Sequence, residues 1–254
     1  MKIFDVHTHM QDKRYPDGHG DVIKRAYKNS VVKIMSCGLH ENDWDKVLDI
    51  SNEYPGVYPA LGIHPWFAQA RSKNWLDILE EKLLKTGASV GEIGIDGMVA
   101  KSEQDKKEQG KVFVQQLILA KKLNRAVNIH CRSAWGKLTE ILDRVGLPDR
   151  GGVIHSYSGS SDMVKVLEKK GAFISFSGSV TKTNNKKARR SLHAVSDERL
   201  LIETDSPDIT PSGVQGLNEP RYILKTLETI SELKGRYVET IAEITYRNSL
   251  KLFD

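Results

Sequence analysis

The chain has 254 residues, 39% hydrophobic and 28% charged, so it can bury a large core without disulfide help. Its two cysteines, Cys37 and Cys131, are too few for a disulfide framework, no signal-peptide pattern opens the chain, and no apolar run approaches membrane-spanning length. The expectation is a cytoplasmic protein with no membrane attachment, and its net charge of +5 tolerates a phosphate-bearing partner without requiring one.

Ile3–His7 reads as a short apolar strand that runs straight into His7-Thr8-His9. Strand side chains alternate faces, so these two imidazoles point the same way and form half of a metal site. By the same alternation Asp5 falls on the face of His7, either as the acceptor that fixes its tautomer or as a polar residue lower in the fold. Further strands are expected at Val31–Cys37, Val57–Ile63, Ser89–Ile95, Val127–His130, Gly152–His155, Phe173–Ser177 and Leu200–Glu203. Helical segments alternate with them at Trp44–Glu53, Trp75–Lys85, Lys107–Leu123, Lys137–Val145 and Met163–Lys170. Pro220–Leu233 and Val238–Phe253 follow the last strand.

Repeated strand–helix units imply parallel strands joined by right-handed crossovers. Eight strands in a chain of this length predict an α/β protein, a (β/α)8 TIM barrel forming one domain over residues 1–254. An open doubly wound sheet is the alternative, but no Gly-x-Gly-x-x-Gly follows the first strand.

Five of the eight histidines, His7, His9, His64, His130 and His155, fall at the C-terminal ends of the expected strands. Val90-Gly91-Glu92-Ile93-Gly94-Ile95-Asp96 closes the fourth strand, and Leu201-Ile202-Glu203-Thr204-Asp205-Ser206-Pro207 closes the eighth. In a TIM barrel these ends converge on one face, where active sites are built. Imidazole and carboxylate without thiolate suit Zn²⁺, Mn²⁺, Co²⁺, Ni²⁺ or Fe²⁺, with Mg²⁺ at a carboxylate-rich position. Six candidate ligands exceed what one catalytic ion with an open position takes. They suffice for two ions sharing a bridging carboxylate, an arrangement suited to phosphodiester hydrolysis.

His7-Thr8-His9, Gly62-Ile63-His64-Pro65, Gly91-Glu92-Ile93-Gly94-Ile95-Asp96, Ile129-His130-Cys131-Arg132, His155-Ser156-Tyr157-Ser158-Gly159 and Glu203-Thr204-Asp205-Ser206-Pro207 occur in that order. Together with Asn218-Glu219-Pro220 and Asn248, they make the chain resemble the TatD family, metal-dependent deoxyribonucleases of the amidohydrolase superfamily. The resemblance implies a two-metal centre. One divalent ion (Zn²⁺, Mn²⁺ or Mg²⁺) would take His7, His9, Glu92 and Asp205; the second would take Glu92, His130 and His155. Glu92 would bridge, and Asp205 would deprotonate the attacking water. It implies 3′→5′ exonuclease action on single-stranded DNA by a monomeric enzyme. An esterase or aminoacyl-tRNA deacylase with the same metals is one alternative, and a non-catalytic barrel in a larger complex is another.

Other positions are expected to shape the rim. His64 reads as a phosphate contact or proton donor, and Arg132 as a phosphate clamp against the alternative of a rim salt bridge. Glu203 shares the face of Asp205 and is expected to hydrogen-bond a ligand histidine, and Asp96 reads as a rim or supporting group. Cys131 is expected to pack rather than react. Trp66 and Trp135 are placed to stack a base or to pack under a loop. The basic run from Lys182 to Arg190 opposes the dipole of any helix it begins, which points to an anionic partner. Several positions depart from the family pattern: Gly97 and Met98, Ser156 and Tyr157, Leu217, and Asp208, which would repel phosphate if it faced the cleft.

Overall fold

A computed structural model describes all residues 1–254. From Ile3 onward, strand and helix alternate: β1 (Ile3–Thr8), α1 (Gly18–Lys28), β2 (Val31–Cys37), α2 (Glu41–Glu53), β3 (Val57–Leu61), α3 (Trp75–Thr86), β4 (Ser89–Asp96) and α4 (Glu103–Lys122). The second half repeats the pattern with β5 (Val127–Arg132), α5 (Trp135–Val145), β6 (Gly152–Ile154), α6 (Ser161–Lys169), β7 (Ala172–Phe176), α7 (Lys186–Ala194), β8 (Leu200–Ile202), α8 (Ile223–Lys234) and α9 (Val238–Phe253). The eight strands pair in parallel in sequence order, and a parallel bridge between Thr8 and Ser206 joins the two edges. The expected (β/α)8 TIM barrel is what forms.

Side-chain alternation sorts the apolar residues into two layers. Ile154, Ile174, Leu200 and Ile202 join a 50-residue cluster between the strands and the helices. Their neighbours Val153, Phe173 and Leu201 join Phe4, Val6, Met35 and Ala60 in a 10-residue cluster that fills the barrel interior. Interior positions nearer the C-terminal strand ends are polar, and that is where function is built.

Most element boundaries match expectation, and the differences have local causes. Helix α4 begins at Glu103 rather than Lys107, because Ser102 and Asp105 form a reciprocal capping box: Ser102 Oγ accepts the Asp105 N–H at 3.0 Å, and Asp105 accepts the Ser102 N–H at 2.9 Å. Its polar first turn hides the start from a periodicity search. Helix α1 was not foreseen, since Gly18 and Gly20 read as loop while only Val22, Ile23 and Ala26 are buried. The basic run proves to begin α7, capped by Asn185, whose side chain accepts the Ala188 N–H at 3.2 Å.

Gly94 explains part of the fourth-strand motif. Its φ is +146°, and a Cβ there would sit 2.0 Å from the carbonyl oxygen of His130. Only glycine lets β4 lie this close to β5 at the level of the site.

Candidate metal centre

The site sits at the C-terminal mouth of the barrel, around the carboxylate of Glu92 on β4, which is almost fully buried. Each of its two oxygens faces a different set of donors. Oε2 lies 3.2 Å from His7 Nε2 and 3.5 Å from His9 Nε2. Asp205 Oδ1 completes that side at 3.6 and 3.5 Å from the same two nitrogens. Oε1 lies 3.0 Å from His130 Nδ1 and 2.8 Å from His155 Nε2. Ligands about 2.1 Å from one tetrahedral ion stand roughly 3.4 Å apart, which matches the spacing within each set.

The outward-facing nitrogens decide the tautomers. His7 Nδ1 faces Asn128 Oδ1 at 2.7 Å, and Asn128 is oriented in turn by donating Nδ2 to the Val6 carbonyl at 2.9 Å. His9 Nδ1 faces the Cys37 carbonyl at 2.8 Å. His155 Nδ1 faces Glu203 at 3.3 Å, and His130 Nε2 faces Asp96 at 3.3 Å. All four partners only accept, so each imidazole carries its proton on the outer nitrogen and turns a lone pair toward Glu92. Bare lone pairs then confront each other, His7 against His9 at 3.3 Å and His130 against His155 at 3.1 Å. Such pairs repel unless a proton or a cation sits between them. The donor set therefore fits divalent metal, and groups drawn from His7, His9, Glu92, His130, His155, Asp205, His64 and Glu203 could hold one.

His64 is built the other way round. Its Nδ1 accepts the Trp66 backbone N–H at 3.2 Å, which leaves the proton on Nε2, 3.3 Å from Glu92 Oε1. It therefore belongs to the centre as a hydrogen-bond donor to Glu92.

Electrostatics follow from burial and neighbours. Burial opposes the charge of Glu92, yet His155, His64 and His7 hold its carboxyl well below the usual range. Burial disfavours the His9 cation, but the hydrogen bond to Asp205 and the nearby carboxylates outweigh it and raise the imidazole to about 9. His155 is raised by Glu92 and Glu203 against its own burial. Burial lowers His64 to about 4, so it stays neutral near pH 7. Metal-free protein thus carries an added proton on His9 at pH 7, with His155 biased in the same direction, and a metal must displace what is bound there. Titration with Zn²⁺ at pH 7, in buffers of differing ionisation enthalpy, is expected to show net proton release on loading. It should also show affinity falling as pH falls below about 9.

Asp205 is held in the left-handed region, φ +58°, with its N–H donating to the His7 carbonyl at 3.0 Å. That uncommon conformation aims its carboxylate at His7 and His9.

One expectation fails. Asp5 does not share the face of His7. The β1–β2 register slips between Asp5 and Thr8, and an extra residue in a strand inverts side-chain parity beyond it. Asp5 instead accepts the Thr204 N–H at 2.9 Å and the Thr204 hydroxyl at 2.6 Å, tying β1 to the end of β8. Asn128, a polar residue inside the apolar run of β5, is the acceptor for His7. It stands two residues before His130 on β5, so its placement was readable as a polar residue on the site-facing side of an apolar strand. Asn128→Ala is expected to weaken divalent-metal binding by about 10- to 100-fold with the fold retained, as measured by equilibrium dialysis with Zn²⁺ or Mn²⁺.

The rim resolves in the same detail. Glu203 and Asp96 support His155 and His130 as expected. Arg132 is exposed and makes no salt bridge, whereas Cys131 is buried in the core and its thiol is pushed up to about 12 by burial. Trp135 packs on Tyr157 with ring centroids 5.0 Å apart, while Trp66 is 54% exposed and donates its indole N–H to Asp96 at 2.8 Å. Asp208 is paired with Arg14, which bridges Asp208 and Asp12 at 2.7 Å each. This clasp closes the β1 loop onto the β8 loop and reduces the expected repulsion of phosphate. Asn218 lies beneath it, donating Nδ2 to the carbonyls of Thr204 and Asp208 at 2.9 and 2.8 Å.

A family model described as TatD related DNase matches residues 4–254. The chain belongs to the TatD family of metal-dependent hydrolases. The TatD relative named uncharacterized metal-dependent hydrolase YabD, from Bacillus subtilis, is 34% identical over 99% of this chain and 98% of its own length. The 3′-5′ ssDNA/RNA exonuclease TatD of Escherichia fergusonii is 26% identical over 99% of this chain and 98% of its own. The crystal structure of the TatD homologue YjjV from Escherichia coli superimposes with a TM-score of 0.92 at 29% identity, covering 99% and 97% of the two chains.

Proposed function

We propose that this TatD-family hydrolase is a nuclease. It would cleave phosphodiester bonds of single-stranded DNA from the 3′ end, using two divalent ions bridged by Glu92. The observation that carries this is the division of the Glu92 oxygens between two sets of lone pairs, His7, His9 and Asp205 on one side and His130 and His155 on the other. Two adjacent sets suit in-line displacement at phosphorus, where attacking and leaving oxygens both need stabilising. The nuclease names carried by the family description and by the Escherichia fergusonii relative support the substrate class.

Bound there, divalent ions would neutralise phosphate charge and acidify water. The chain's own groups do the rest. Asp205, its carboxyl lowered by the histidines against its burial, stays ionised to orient the water and accept its proton at Oδ. His64, neutral with its proton on Nε2, donates a hydrogen bond to a phosphate oxygen. Arg132, without an acidic partner, offers its guanidinium fork to the same phosphate. The exposed face of Trp66 gives a base a surface to stack on. At the start of α7, Lys182, Lys186, Lys187, Arg189 and Arg190 form no salt bridge and can follow the backbone.

The test is hydrolysis by metal-loaded protein of 5′-labelled single-stranded DNA, double-stranded DNA and an activated carboxylic ester. Shortening of the single strand from its 3′ end, abolished by chelator, is the expected result. Turnover of the ester with all nucleic acid intact would overturn it.

A further inference from the structure

Helices α4 and α5 face each other across an open cleft of two adjacent cavities, about 380 and 530 Å³, that share Lys106, Lys107 and Lys137 in their lining. Lys107, Gly110, Lys111 and Val114 share one face of α4, and Lys137, Ile141 and Arg144 share the opposing face of α5. Gly110 keeps the cleft open, since a side chain there would reach toward Lys137 and Ile141. Lys106 and Lys137 are paired on their own helices, with Glu103 at 2.6 Å and Glu140 at 2.8 Å. Lys107, Lys111 and Arg144 are exposed and have no acidic partner. Cations gathered in this way repel one another until an anion joins them.

The position of the cleft gives it meaning. Its upper end is lined by Ile95, Gly97, Ser133 and Ala134, where β4 and β5 deliver Asp96 and Arg132 to the rim. The Gly97 N–H donates to the Arg132 carbonyl at 2.7 Å, and Asp96 beside it holds His130. The cleft therefore begins at the edge of the metal centre and leads down the flank of the barrel. From Lys137 to Arg144 it descends about 10 Å at the helical rise.

We propose that the α4–α5 cleft is a track for the phosphate backbone of a single-stranded nucleic acid engaged at the metal centre, gripping it away from the scissile bond. The proposal rests on the nuclease reading and adds a place for the rest of the strand. Glu103, the acidic residue lining the cleft, is paired with Lys106, and Glu140 is paired with Lys137, which leaves Lys107, Lys111 and Arg144 to meet phosphates. Each contact releases condensed counterions and contributes about 0.7 to the salt slope of single-strand binding.

The experiment compares the triple variant Lys107→Gln/Lys111→Gln/Arg144→Gln with a control, Lys28→Gln/Lys169→Gln/Lys251→Gln. The control removes the same charge from exposed lysines at the far end of the barrel. Binding of a fluorescein-labelled thymidine strand of about 16 nucleotides is measured in an Asp205→Asn background, and hydrolysis of that strand and of one of about 4 nucleotides is measured without it. The cleft variant is expected to lose about 10-fold in affinity for the long strand and raise its KM about 10-fold, to lower the salt slope by about 2, and to cut the short strand like wild type. An unchanged long-strand KM, an equal loss in the control, or an equal loss on both strands overturns the track while cleavage by wild type keeps the nuclease reading. Wild type that cuts neither strand overturns both.

Discussion

Glu92→Gln is expected to cost the chain most of its bound divalent metal, and to lower single-strand cleavage by roughly 10³-fold or more. Glu92 presents one carboxylate oxygen to each donor set, so its replacement removes a donor from both at once. Charge stabilisation by bound metal contributes several kcal/mol to such a reaction, and each 1.4 kcal/mol is a tenfold change in rate. The fold should survive. Loss of the carboxylate leaves His9 with Asp205 and His155 with Glu203 as partners, and an imidazole, unlike a lysine, can shed its proton near neutral pH. The buried histidines are therefore not left as unpaired charges. Elemental analysis, circular dichroism and turnover on one preparation check the three statements separately. A variant with full metal content and wild-type cleavage would remove Glu92 from the bridging role.

Asp205→Asn is expected to lower kcat by about 10²- to 10⁴-fold, the range of a lost general base, while KM for single-stranded DNA changes little. Asparagine is the substitution that isolates chemistry from backbone. At φ +58° most side chains are disfavoured, but asparagine tolerates this region, so the turn beyond β8 and its N–H bond to His7 should persist. The amide oxygen can still face His7 and His9, but it cannot take up a proton. Asp205→Ala, in contrast, should add a stability loss of about 1 kcal/mol or more to the catalytic one, visible as a lower Tm. Equal kcat in wild type and Asp205→Asn would show that another group accepts the proton.

The supporting groups rank below these because they act through a ligand. Asn128, Glu203 and Asp96 each fix one histidine, and losing one leaves the remaining donors in place. Arg14 acts at longer range, by pairing with Asp208 and Asp12 and holding two rim loops together.

The sequence by itself determined the barrel and which imidazole and carboxylate side chains gather at its mouth. Alternating apolar periodicities specify strands and helices locally, and the eight-fold repeat leaves few ways to pair parallel strands. A strand also delivers its last side chains to a predictable end, so His7, His9, Glu92, His130, His155 and Asp205 could be gathered before any coordinates. Tertiary structure alone decided what those donors are bound to. A one-residue slip in β1 turned Asp5 away from His7, and no alternation rule foresees a bulge. Asn128 found His7 across 121 residues of chain, and Arg14 found Asp208 across 194. The direction of each imidazole lone pair, which separates His64 from the four metal-facing histidines, depends on which acceptor lies behind the ring. Those contacts are set by the closure of the barrel, where residues far apart in sequence meet at one mouth.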